Sequence, residues 1–92
     1  MDKLAALPGN FASAPNWDDV RYALALGRCA SLVAAARQLG VDQTTVSRRL
    51  RTLESDLGTP LFERRKGLLM PTSAGLILIE RGQRMEQEMA AL

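Results

Sequence analysis

The chain has 92 residues, of which 47% are hydrophobic, and a net charge of +2. That is one small domain, near the lower limit of what buries a self-sufficient core; one tryptophan, one tyrosine and two phenylalanines favour helical aliphatic packing over a β-sandwich. Histidine is absent and Cys29 is alone, which excludes an internal disulfide, leaves no ligand set for zinc and fits a reduced, cytoplasmic protein without a cofactor.

Residues 1–16, MDKLAALPGNFASAPN, hold two prolines and a Pro-Gly pair without sustained periodicity, and read as a flexible arm. Lys3 is its only base, a poor endowment for reaching into a nucleic-acid groove. The short LAAL patch, flanked by both charge signs, makes a poor signal peptide, and no run in the chain is long enough to span a bilayer.

A first helix is predicted over 17–28, capped by Asn16 or Asp18, with Asp18 and Asp19 at the positive end of its dipole. Val20, Ala23, Leu24 and Gly27 form one stripe at helical spacing. Tyr22 and Leu26 fall on nearly the opposite side, which hints at two neighbours. Cys29 reads as a small apolar filler at the end of this helix rather than a redox sensor.

Ser31 is placed to cap a short second helix with the stripe Leu32, Ala35, Ala36 and Leu39, and Gly40 supplies its stop. Val41 is a buried turn residue by pattern. Asp42 offers its carboxylate to the free N–H groups of a third helix over 43–57, whose stripe is Val46, Leu50, Leu53 and Leu57. Gly58 and Pro60 end it. Two helices joined by the tight turn over 39–42, with Ala35 and Ala36 allowing close approach, form a helix-turn-helix. They fit an αα-hairpin of any small bundle equally well.

After Pro60 the period changes. LFERR and LLM flank Lys66-Gly67, a short β-hairpin with glycine in its turn. Arg64, Arg65 and Lys66 near its tip suggest a wing that touches phosphates. Thr72 then caps a last helix over 73–91.

The third helix carries the chemistry. Between Arg37 and Lys66 seven bases stand against four acids, a local balance of +3, and residues 43–53 contain no acid at all. Basic charge gathered there is a nucleic-acid signal. On a wheel of about 100° per residue, Thr44, Arg48, Arg51 and Ser55 lie opposite the core stripe. Thr45, Ser47 and Thr52 sit at the margins, and Gln43 and Arg49 nearer the core border. Arginine can bond both acceptors of a guanine edge, glutamine can pair with adenine, and a threonine methyl can touch that of thymine. Carboxylates would be repelled by phosphates, and Glu54 and Asp56 come late. An ordinary solvated face would mix signs from its first turn.

The residues SLVAAARQLGVDQTTVSRRLRTLESDLGTPLFERRKG, followed by PTSAG, resemble the N-terminal domain of the bacterial LysR-type transcriptional regulators, and the similarity covers residues 17–92. It implies a mainly α fold: a winged helix-turn-helix of three helices and a β-hairpin wing over 17–72, then a long linker helix over 73–92 that pairs two subunits. It implies sequence-specific binding of double-stranded DNA by a homodimer, or a tetramer of the full-length regulator, on a two-fold related operator. A small-molecule effector would bind a C-terminal domain of periplasmic-binding-protein type that lies outside these residues. Gln43, Thr44, Thr45 and Arg48 match the base-reading positions. Ser31, Ser47 and Arg64 match backbone contacts, to which the wheel and the hairpin add Arg51, Arg65 and Lys66. The chain departs from the family's usual pattern at Asp42 (commonly serine), Ala23 (a bulky aromatic), Ala30 (glycine), Thr44 (proline) and Arg49 (glutamine).

An enzyme would need a histidine, a nucleophile with clustered carboxylates or a glycine-rich phosphate loop, and none is present. A winged helix serving as a protein-interaction module would carry an apolar or acidic recognition face, whereas this one is basic and rich in hydroxyls. In the last helix Ala74, Leu78, Gly82, Met85, Met89 and Leu92 form one stripe, while Leu76, Ile77 and Ile79 make the first turns apolar on every side. Leu76 and Ile79, with Tyr22 and Leu26 of the first helix, are therefore expected to form the dimer contact.

Overall fold

A computed structural model describes residues 16–92, so the expected arm lies outside the described residues apart from Asn16. The elements follow in the order α1 (Trp17–Cys29), α2 (Leu32–Leu39), α3 (Gln43–Leu57), β1 (Phe62–Arg65), β2 (Leu68–Pro71) and α4 (Ser73–Ala90). This is a mainly helical winged helix-turn-helix with a long C-terminal helix.

The helix starts are set locally. Asn16 Oδ1 accepts from Asp18 N at 2.8 Å, Ser31 Oγ from Ala34 N at 3.2 Å, Asp42 Oδ1 from Thr45 N at 2.7 Å and Thr72 Oγ1 from Gly75 N at 3.1 Å. Each satisfies one of the free N–H groups of a first turn. The stops at Gly40 and Gly58 use the left-handed conformation, with φ of 72° at both. Ala30 ends α1 in the same region, at φ 56°, where a Cβ crowds the following carbonyl.

α1 is the central helix, packed against α2, α3 and α4. For that reason both of its sides are buried: Val20, Ala23 and Leu24 on one, Tyr22 and Leu26 on the other. This corrects the expectation that Tyr22 and Leu26 face a partner. Leu26 is wholly buried within its own chain, and Tyr22 is 8% exposed. Ile79 also turns inward, packed against the core. A Cβ on Gly27 would lie 2.8 Å from Ile79 Cδ1, and one on Gly82 would lie 2.9 Å from Leu24 Cδ2. The α1–α4 crossing is thus made close by two glycines, each receiving a side chain of the other helix.

β1 and β2 pair antiparallel in the register Phe62↔Pro71 to Arg65↔Leu68. Lys66 and Gly67 have φ of 50° and 80°, the two positive values of a type I′ turn. Leu61 ties this wing to the helices. It is wholly buried, its N–H donates to Glu54 Oε2 at 2.7 Å and its carbonyl accepts from Thr72 N at 2.9 Å. A side chain on Gly75 would overlap that carbonyl. On the wing's outer edge Leu69 N donates to Ala30 O at 3.1 Å, which fastens β2 to the α1–α2 corner.

Candidate nucleic-acid interface

Val46, Leu53 and Leu57 are buried, with Leu50 packed against the same core, so the opposite side of α3 faces solvent. There Gln43, Thr44, Ser47, Arg48 and Arg51 line one open groove together with Leu32 of α2. Four potential donors and a methyl-bearing hydroxyl converge within about two and a half turns of helix. Arg48 and Arg51 are exposed and form no ion pair among the described residues. Their charge is available to an anion.

Thr45 is not part of this groove. Its backbone N–H donates to Asp42 Oδ1, and that bond is the main cause that holds the Asp42 carboxyl below its ordinary value of 3.8. Ser31 is likewise occupied as the α2 cap through Oγ, at half-buried exposure. On the wing Arg64, Arg65 and Lys66 are all exposed. Glu63 and Arg65, two residues apart on one face of the strand, pair at 2.9 Å. Arg64 points to the other face, shared with its cross-strand neighbour Leu69, and has no ion pair among the described residues. Among those residues there is also no group of three or more His, Cys, Asp or Glu side chains that could hold a metal ion, and no helix long and apolar enough to cross a membrane.

Two features were not foreseen from the sequence. Arg49, beside Arg48, turns away from the groove: Nη1 donates to Asp19 Oδ1 at 2.8 Å, and the guanidinium lies 5.3 Å from the centre of the Tyr22 ring. The Asp19 hydrogen bond raises the arginine's already high pKa. The late acid Glu54 is also structural, because its carboxylate holds the start of the wing. An acid pair in the first turn of α1 and an arginine at the core border of α3 were the only signals for the first of these.

A basic, donor-rich recognition helix crossing a shorter one, with a cationic hairpin alongside, defines a winged-helix DNA-binding domain. The chain belongs to the LysR family of bacterial regulatory helix-turn-helix proteins, whose model matches residues 17–76. It is 42% identical over 77 residues to the Mau operon transcriptional activator of Paracoccus denitrificans, covering 84% of this chain and 27% of that protein. To the transcriptional regulator CbbR of Xanthobacter flavus it is 32% identical over 79 residues, 84% of this chain and 24% of the relative. The chain therefore spans about a quarter of the length of these relatives. Among solved structures, the CbnR DNA-binding domain in complex with DNA superimposes with a TM-score of 0.75 at 29% identity, covering 83% of this chain and 87% of that one. The BenM DNA-binding domain bound to catB site 1 DNA gives 0.78 at 25% identity, over 83% and 84% of the two chains.

Proposed function

We propose that this chain reads duplex DNA with α3 in the major groove and the wing on the phosphate backbone, as the DNA-binding part of a transcriptional regulator. The observation that carries the reading is the groove of Gln43, Thr44, Ser47, Arg48 and Arg51, basic and free of acids on the exposed side of one helix. That a CbnR domain and a BenM domain of the same fold were solved on DNA supports it. Thr44 and Arg48 are assigned to base edges, with Gln43 and Thr45 beside them. Ser31, Ser47, Arg51, Arg64, Arg65 and Lys66 are assigned to the backbone, where Ser31 can act only while keeping its capping bond. No catalytic step is involved, and the protein acts on DNA in the bacterial cytoplasm. A small-molecule effector belongs to a further domain of the regulator.

The working unit is a homodimer joined through α4. Ala74, Leu78 and Gly82 serve the domain's own core, whereas Leu76, on the other side of α4, is 57% exposed; Met85 and Met89, further along the core-facing stripe, are 50% and 65% exposed. Pairing there would set two recognition helices at a fixed separation and call for a two-fold related site. The reading is tested by selecting bound sequences from a random duplex pool and titrating the winner across salt. With about four phosphates neutralised per subunit, log K against log salt should fall with a slope of about −7. Affinity that stays flat between low and physiological salt would contradict it.

A further inference from the structure

Asp19 is the one charged residue buried among the described residues, at 4% exposure. A carboxylate held out of water needs a cation with good geometry, and Arg49 supplies it from α3, thirty positions along the chain. The guanidinium is held by α1. Nη1 donates to Asp19 Oδ1 at 2.8 Å, Nη2 lies 3.9 Å from Asp18 Oδ2, and Cζ lies over the Tyr22 ring. These three partners occupy consecutive and one-turn-apart positions of a single helix. Asp18 is shared with Arg21, which pairs with it at 2.8 Å.

We propose that Arg49 is a positioning residue for DNA reading, whose bond to Asp19 sets the rotation of α3 about its own axis and so the aim of Arg48. The inference rests on α3 being the base-reading helix. The core stripe of Val46, Leu53 and Leu57 attaches α3 along one line. Glu54 holds the end of α3 through the wing, and Arg49 adds an attachment on the flank facing the start of α1. An attachment off the core stripe resists rolling about it. Arg48 is the next residue, about 100° around the helix. With side-chain heads about 5–6 Å from the helix axis, a roll of about 10° carries them about 1 Å, enough to spoil a bidentate bond to a base edge. Arg49 is also neutralised by its acids, so it adds nothing to the charge that phosphates meet.

Arg49→Gln, Asp19→Asn and the double variant, which leaves neither charge unpaired, distinguish this role from others. Each is checked for folding by circular dichroism and then titrated with the duplex preferred by wild type and with random duplex across salt. The expected result is a loss of about tenfold in the preference for the selected duplex. The salt slope and random-duplex affinity should stay unchanged, and the double variant should lose no more than the larger single loss. Amide resonances along the whole of α3, recorded without DNA, should shift in Asp19→Asn. A slope shallower by about one with equal loss on both duplexes would make Arg49 a phosphate contact and overturn the proposal. A folded double variant that keeps the wild-type preference would overturn it too, by making the pair merely structural. Amide shifts confined to the neighbours of Arg49 would overturn this inference alone, whereas a wild-type domain that prefers no sequence would overturn it together with the functional reading.

Discussion

Glu54 Oε2 accepts the backbone N–H of Leu61 at 2.7 Å and that of Phe62 at 3.4 Å, so a carboxylate near the end of the recognition helix holds the first residues of the wing. Late acids on α3 keep clear of phosphates, but this one also fixes where the wing begins.

Glu54→Ala leaves two partly buried N–H groups without their acceptor and should lower unfolding stability by about 1.5–3 kcal/mol in urea titrations. Glu54→Gln keeps an acceptor oxygen and should lose clearly less. Because the wing is displaced rather than the base-reading face, DNA affinity of Glu54→Ala should weaken by similar factors on selected and random duplexes. Two variants of equal stability would mean that the Leu61 bond contributes nothing.

Ala30 sits at φ 56°, where glycine is at no steric disadvantage and the β-carbon of alanine is. Ala30→Gly should therefore raise stability by about 0.5–1 kcal/mol, a rise of a few degrees in Tm for a domain of this size. Its carbonyl still receives Leu69 N, so DNA affinity should not change. A lower melting temperature would contradict the strain argument.

The Asp42 cap should be legible in pH. Its carboxyl titrates below the ordinary 3.8 in the folded chain because the Thr45 N–H bonds the charged form. The cap's contribution is therefore present above that value and fades as pH falls through the folded-state pKa. Asp42→Asn caps without titrating. The stability difference between wild type and Asp42→Asn should hold steady from neutral pH to about 5 and move against wild type below pH 3.8. A difference independent of pH across the acid range would show that the carboxylate charge is not involved.

Much of this architecture was readable because its causes are local. Ser31, Asp42 and Thr72 each cap a helix three residues away, Gly40 and Gly58 each stop one, and Lys66-Gly67 permits a type I′ turn. The α3 stripe needs only the helical period to separate core from groove. What could not be read is non-local. Tyr22 and Leu26 announced a second apolar side of α1, but periodicity does not say whether a partner or the same chain covers it, and here α1 is enclosed by its own neighbours. Ile79 misled in the same way, since its seat on Gly27 lies 52 positions away in sequence. Asp19 looked like a dipole-complementing acid, and only the fold brings Arg49 to it. The gathering of Gln43, Thr44, Ser47, Arg48 and Arg51 followed from the wheel, while the place of Leu32 in the lining of their groove did not.

That correction changes how pairing is tested. Ile79→Glu would damage the domain's own packing, so the informative variant is Leu76→Glu, at an exposed position on α4. Sedimentation should show a folded monomer, and binding should lose most of its preference for a full two-fold site over a half site. A variant that remains dimeric would move the interface elsewhere.

If α3 reads bases through Arg48 while the wing holds phosphate through Arg64, the two arginines should respond differently to DNA sequence. Arg48→Ala and Arg64→Ala are each titrated with the selected duplex and with random duplex at fixed salt. Arg48→Ala should lose about 1–3 kcal/mol on the selected duplex, with relaxed preference at one base pair and little change on random DNA. Arg64→Ala should weaken both by the same factor. Equal losses on selected and random duplex for Arg48→Ala would contradict base reading by Arg48.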